Sequence, residues 1–428
     1  VQTQAQPESP KPASAKPVPP QQTAAPAAQL LQDDRALARW VLAHSQEVAA
    51  AAAEVLGARA AHRGSRLFPN PVVDVSVGNF PLGKSDGHKY ALDESLIYGV
   101  GLSELVELGK REPRIAAAQL HAQAAQGRLS ATLGDRVADA RQALARLIYA
   151  QARAEELDAS LAQARGAAEV AKGRLDHAAL SGVDYDRLLI DLASIQTESA
   201  HAHAEAEGAA AECTAALLAP CNLANVSVEA LTPSAPVPAQ WGEAQLTDRA
   251  DVKALKLESN AAQKEADLAA ARAIPDLTFR LGYAHDTFIS SGDLANSLAL
   301  SISAPLPFFD TGRYAKEEAL ARATQYSRLA GGTVTHARSD VTSLYTRKSA
   351  IEGVLNTLEQ DALPRANGVL AAEEQGLREG QLDITDLLLV RREAIALRLQ
   401  ALELRFELFT IRNDLRHALG LDEALAQR

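Results

Sequence analysis

Residues 72–78 read Val-Val-Asp-Val-Ser-Val-Gly, and residues 277–283 read Leu-Thr-Phe-Arg-Leu-Gly-Tyr. In both, large apolar side chains alternate with polar or small ones, which is the period of a strand with two unlike faces. Val73, Val75 and Val77 share one side of the first, with Asp74, Ser76 and Gly78 on the other; in the second, Leu277, Phe279, Leu281 and Tyr283 oppose Thr278, Arg280 and Gly282. Each has a companion of the same period after a polar stretch. Leu96, Tyr98, Val100 and Leu102 alternate with Gly99, Gly101 and Ser103, and Leu298, Leu300 and Ile302 alternate with Ala299, Ser301 and Ser303. Strands are therefore predicted over about 72–82, 96–106, 276–285 and 297–305, in two long-looped hairpins.

Outside these strands the period becomes helical. Asp33 and Asp34 open a helix that runs through Leu37, Val41, Val48 and Val55 to Arg66, where Pro69 and Pro71 stop it. From Leu108 helical spacing continues for about 70 residues, far beyond an ordinary globular helix. It breaks at Ser181 and Gly182 and resumes from Asp184 to Leu218 before Pro220. The second half replays this plan. Gly109 and Lys110 correspond to Gly312 and Arg313, and Asp184, Leu188 and Leu189 correspond to Asp383, Leu387 and Leu388. The expected organisation is a Pro/Ala/Gln-rich tail without structure over 1–29, and a first repeat over 30–219 ending in a helical hairpin at 108–219. A connector follows at 220–242, then a second repeat over 243–420 with its hairpin at 308–419, and a C-terminal tail at 421–428. Pro364 has no counterpart at Arg165 in the first repeat, so the two hairpins need not bend alike. The fold class is mainly α with a small β part, built as a tandem duplication.

Composition excludes several functions. The 428 residues are 47% hydrophobic, with alanine the commonest of these, and no run of about 18 apolar residues exists to form a transmembrane helix. A net charge of −11 leaves no basic face for nucleic acid. No dinucleotide, P-loop, HExxH or GxSxG motif is present, so no enzyme, cofactor, catalytic residue or metal site is expected. Methionine is absent, as in a chain whose natural start was removed by cleavage of an export signal, and no cysteine opens the chain to carry a lipid anchor.

The strand faces decide the environment. Asp74, Ser76, Arg280, Ser301 and Ser303 are poor core residues and suitable channel lining, so the apolar face is read as lipid-facing. Four strands cannot close a barrel, for which about eight is a practical minimum, so several chains must contribute. The alanine-rich helices likewise bury little unless neighbours approach from both sides.

On these features the chain resembles the TolC family of outer-membrane channels from about residue 33 to 420. The resemblance rests on the duplicated strand pairs and on the elbows Glu107-Leu108-Gly109-Lys110-Arg111 and Phe308-Phe309-Asp310-Thr311-Gly312-Arg313. It rests equally on the turns Gly182-Val183-Asp184-Tyr185-Asp186-Arg187-Leu188-Leu189 and Gly380-Gln381-Leu382-Asp383-Ile384-Thr385-Asp386-Leu387-Leu388. It implies a homotrimer in the outer membrane of a Gram-negative bacterium, with a twelve-stranded β-barrel continued by a periplasmic helical barrel. The implied partners are a periplasmic membrane-fusion adaptor, an inner-membrane RND pump and outer-membrane lipid. Cargo would pass without chemical change. The first elbow and Asn70-Pro71 look most like the CzcC-type members that serve heavy-metal efflux; drug efflux or type I secretion is the alternative cargo, and a soluble coiled-coil scaffold the alternative class.

The resemblance places the adaptor-docking tip at Gly182, Val183, Asp184, Tyr185, Leu188, Leu189, Gly380, Leu382, Asp383, Ile384, Leu387 and Leu388. Gly182 and Gly380 would permit the turns, Leu188, Leu189, Leu387 and Leu388 would pack the returning helices, and Asp184 and Asp383 sit where a helix start favours an anion, as N-caps or at the docking tip. Asp186 and Asp386 are candidate aperture acids, repeated in each copy and favouring cations. Cys213 and Cys221, in an oxidising periplasm, either form a disulfide or stay apart, since helical spacing separates them unless Pro220 folds the chain back. Glu198, His201 and Glu205 share a helix face, read as solvated rather than as a metal site. Trp40, Phe80, Tyr90, Tyr98 and Phe288 are candidates for interfacial girdles or ordinary packing.

Overall fold

The computed structural model describes residues 27–80, 95–221, 228–231, 237–287, 294–379, 384–423 and 425. Its helices and strands fall, in chain order, as α1 (Ala27–Gln32), α2 (Asp34–His44), α3 (Gln46–Ser65), β1 (Val72–Gly78), β2 (Ile97–Val106), α4 (Arg111–Asp176) and α5 (Gly182–Leu217). The second half follows as α6 (Glu243–Thr247), α7 (Ala250–Ala271), β3 (Leu277–Asp286), β4 (Asn296–Ser303), α8 (Arg313–Thr357), α9 (Leu363–Glu379) and α10 (Ile384–Ala418). The chain divides into two compact units. One holds residues up to Leu37 with Ala140–Ser234 and Leu355–Phe406; the other holds Ala38–Asp139, Ala235–Val354 and Glu407–Arg428.

The second unit contains one antiparallel sheet in the order β1-β2-β3-β4. Strands of the two repeats meet at its centre, where Val100 faces Tyr283 and Leu102 faces Leu281. A separate core forms where α6, α8 and α10 pack Leu246, Val341, Ile411 and Leu415 together, with Trp241 and Leu421 against them. The described residues after α10 do not form the expected tail. Gly420 turns the chain in the left-handed region, Asp422 is buried against Arg416, and the Glu423 carboxylate accepts from the Ala250 N–H that opens α7. In the first unit, Leu157, Leu161, Ile195 and Ile395 form one helical core and a second lies at the helix turns.

Several boundaries differ from expectation, each for a local reason. The helix read as continuous from Asp33 to Arg66 breaks at Ser45, whose hydroxyl accepts from the Val48 N–H and caps α3 afresh. The helix read over 243–272 breaks between Thr247 and Ala250. Inside the 220–242 connector, Val228–Leu231 form one 3-10 turn, and α1 already begins within the expected tail. The hairpins also differ from each other. Helix α4 runs unbroken over 66 residues, with Pro113 tolerated in its first turn. In the second repeat Leu358–Ala362 form a π turn. Pro364 has no N–H for the Gln360 carbonyl, and the Leu363 N–H bonds back to Leu358 O, five residues away.

Candidate functional site

Register alone sorts the sheet into two faces, because directly opposite residues share one. Val73, Leu102, Leu281 and Leu300 form one cross-sheet row, and Val75, Val100, Tyr283 and Leu298 form the next. Among the described residues these rows stay uncovered: Val75 is 78% exposed, Leu298 74% and Leu300 75%. The opposite face carries Asp74, Gly101, Gly282 and Ala299 in one row and Ser76, Gly99, Ala284 and Ser297 in another. There the Arg280 guanidinium crosses β2 to bond the Asp74 carboxylate. Gly101 makes the crossing possible, since a Cβ at that position would lie 2.6 Å from Asp74 Oδ1 and 2.9 Å from Arg280 Nε. The polar residues expected to line water therefore share one face and partly pair, while the apolar face has no partner among the described residues of the unit.

Both elbows between strand and long helix use a glycine in the left-handed region, Gly109 at φ 73° and Gly312 at φ 76°. Asp276 anchors the first, accepting from the Leu108 N–H at 3.1 Å and pairing with Lys110 Nζ at 2.7 Å. Arg111 donates to Arg66 O at 2.8 Å and lies over the Phe68 ring at 4.5 Å. Around the elbows Leu67, Phe68, Leu306, Phe308, Phe309 and Tyr314 are all exposed. Aromatic residues placed just beyond strand ends suit a membrane interface. Trp40, by contrast, stacks on His44 within α2 at 4.0 Å. Tyr98 and Phe80 are exposed in or next to the sheet; Tyr90 and Phe288 lie outside the described residues.

In the first unit the helix turns bring Leu188, Ile384 and Leu387 into one buried cluster with Ala171, Leu370 and Leu377, and Tyr185 and Leu388 flank it. Val183 and Leu189 are exposed, as are Asp186 and Asp386. Gly380, Leu382 and Asp383 lie outside the described residues. Two roles differ from expectation. The left-handed residue of the first turn is Ala178, at φ 52°, and Gly182 simply begins α5 with open space around its Cα. Asp184 is not the cap: Ser181 is, accepting from the Asp184 N–H at 3.1 Å, while the Asp184 carboxylate accepts from Ser181 Oγ and from Arg187. Arg187 also reaches Thr385 Oγ1 at 3.3 Å, tying α5 to α10.

Beside this cluster lies a buried charge group that no sequence motif marks. Asp191 accepts from Arg392 Nε at 3.0 Å and lies 3.7 Å from Arg391 Nη1. Arg391 is 1% exposed, and burial pushes its guanidinium below the ordinary arginine range. Asp191 follows Leu188 by three residues and Arg391 follows Leu387 by four, so both fall on the buried face of their helices. That spacing was the available signal.

Cys213 and Cys221 are joined, with Cα atoms 6.0 Å apart. The chain reverses at Leu218, in the left-handed region at φ 54°, ahead of Pro220. His201 pairs with Glu205 at 3.2 Å and His203 with Asp158 at 2.9 Å, each with solvent around it. Among the described residues no group of three or more His, Cys, Asp or Glu is placed to hold a metal, and no helix is long and apolar enough to cross a membrane.

The chain, with one polar and one apolar sheet face, has counterparts among known structures. Residues 241–421 match the outer membrane efflux protein family. No curated protein matches the chain in sequence. Among solved structures it is similar to CusC, studied for folding and transmembrane channel formation, with a TM-score of 0.76 at 17% identity over 97% of this chain and 99% of that one. It is similar to the outer-membrane protein VceC of Vibrio cholerae, with a TM-score of 0.73 at 20% identity over 92% and 96%. The open state of the outer-membrane channel MtrE of Neisseria gonorrhoeae gives 0.74 at 18% identity over 97% and 97%. The fold is that of these channels, and the family match covers the second repeat.

Proposed function

We propose that both repeats belong to the outer membrane efflux family and that the chain is the exit duct of a tripartite RND-type pump. Three copies would close a twelve-stranded barrel in the outer membrane of a Gram-negative bacterium. The observation that carries this reading is the uncovered apolar face of the sheet, with Val75, Leu298 and Leu300 exposed and Asp74, Arg280 and Ser301 on its back. An exposed apolar patch of that extent marks lipid or a partner. Strands β1 and β4 each keep one unpaired edge within the sheet, which further copies would complete. The aromatic residues at the elbows fit the interface girdle of such a barrel.

In this reading the turns around Leu188 and Leu387 form the periplasmic tip that docks a membrane-fusion adaptor, and Asp186 and Asp386 ring its aperture and favour cations. Nothing in the duct alters the cargo, for which divalent heavy-metal cations are proposed. Deleting the gene should sensitise cells to divalent heavy metals, wild type should restore tolerance, and the double variant Asp186→Asn/Asp386→Asn should restore less. Lost drug tolerance with metal tolerance unchanged would contradict the cargo.

A further inference from the structure

Within the second unit, seven charged side chains on four helices form an unbroken alternating series. Glu54 of α3 pairs with Arg128 of α4 at 2.6 Å, and Arg128 pairs with Glu258 of α7 at 2.5 Å. Glu258 meets His121 Nδ1 of α4 at 2.8 Å, and His121 Nε2 meets Glu265 of α7 at 3.0 Å. Glu265 then meets Arg322 of α8 at 3.2 Å, and Arg322 lies 3.9 Å from Glu318. Helices α3 and α4 belong to the first repeat and α7 and α8 to the second, so the series bridges the duplication.

Its middle member is the one that titrates near neutral pH. A neutral imidazole has one N–H, and its other nitrogen carries a lone pair. With a carboxylate oxygen within 3.0 Å of each nitrogen, only the doubly protonated ring satisfies both contacts. Glu258 is nearly buried while the ring itself is partly exposed, so loss of the His121 proton would leave a carboxylate facing a lone pair on one side of the ring. We propose that His121 is a proton-operated clasp between the two repeats, closed when the ring is charged and weakened when it is neutral.

The direction of the pH dependence follows. The hydrogen bond to Glu258 foremost, then that to Glu265, raises the His121 pKa above its ordinary 6.5 against the opposing effect of burial. Glu258 is held below its ordinary range by His121 and Arg128, despite burial acting the other way. A raised histidine pKa contributes stability that is complete below 6.5 and is lost as pH rises through the folded value. Glu258 stays charged across that interval. Arg128, its pKa raised against burial by Glu258 and Glu54, stays charged as well and keeps its contact to Glu54, so the loss is confined to the centre of the series.

The test compares apparent melting midpoints of the full-length protein in detergent with those of His121→Gln and His121→Arg, at about pH 6 and about pH 8.5. Wild type should exceed His121→Gln by several degrees at the lower pH, and that gap should shrink by at least about half at the higher pH. Relative to His121→Arg, whose charge is fixed, wild type should lose stability over the same interval. If His121→Gln does not fold, the comparison with His121→Arg alone decides. Gaps that are the same at both pH values would show an ordinary structural contact and overturn the clasp.

Discussion

Gly109 and Gly312 occupy equivalent elbows with nearly the same backbone angle, yet their surroundings differ. A Cβ at Gly109 would meet only Ile274 Cδ1 at 4.0 Å, whereas at Gly312 it would fall 2.1 Å from the Ala269 carbonyl oxygen. Gly109→Ala should therefore cost only the left-handed penalty, about 1 kcal/mol. Gly312→Ala should cost roughly double or more, because backbone has to move. Thermal melts of the two variants should differ in that order; equal losses would show that the elbow of the second repeat yields more easily than its packing implies. The correspondence of these glycines was legible from the repeat alone. Roles at the tip were less so. Ser181 and Asp184 are both competent caps in sequence, and only the backbone shows which one stands outside the helix. Ala178 in the left-handed region gives no residue-type signal at all, since glycine is the residue that such a position ordinarily selects.

At the scale of elements, the disulfide closes a short loop across the end of α5. Cross-linking over such a loop constrains the unfolded chain by about 2–3 kcal/mol. Cys213→Ser/Cys221→Ser should lower stability by that order, and wild type should take up two alkyl groups only after reduction. Uptake without reduction would show the thiols apart in the isolated protein. Helix periods, the proline stops and all four strands were readable from spacing, because apolar periodicity is a property of local sequence. The breaks at Ser45 and between α6 and α7 were not, since a polar residue inside a helical period reads equally well as solvated face or as cap. Pro364 did announce that the second hairpin differs from the first, and the π turn before it is the form the difference takes. The buried Asp191 and Arg391 are hard to see in sequence because a charged residue inside a helical period ordinarily faces solvent, although their spacing from Leu188 and Leu387 places them inward.

At the scale of the whole molecule, the decisive feature is the pairing of two repeats in one sheet whose faces have opposite chemistry. Alternation gave the faces, and register in the structure extends them across four strands: Val73, Leu102, Leu281 and Leu300 on one, Asp74, Gly101, Gly282 and Ala299 on the other. What no single strand could disclose is that Arg280 and Asp74, distant in sequence, neutralise each other across Gly101. That pairing leaves neither charge isolated on the polar face of the sheet. Whether the oily face meets acyl chains is open to direct measurement in a variant lacking Cys213 and Cys221, carrying single cysteines along β4 in native membranes. The account predicts that cysteines at Ala299 and Ser301 react with a small water-soluble maleimide, while those at Leu298 and Leu300 react only with a lipid-soluble one. Equal reaction of all four positions with the water-soluble reagent, or the reverse pattern, would contradict it.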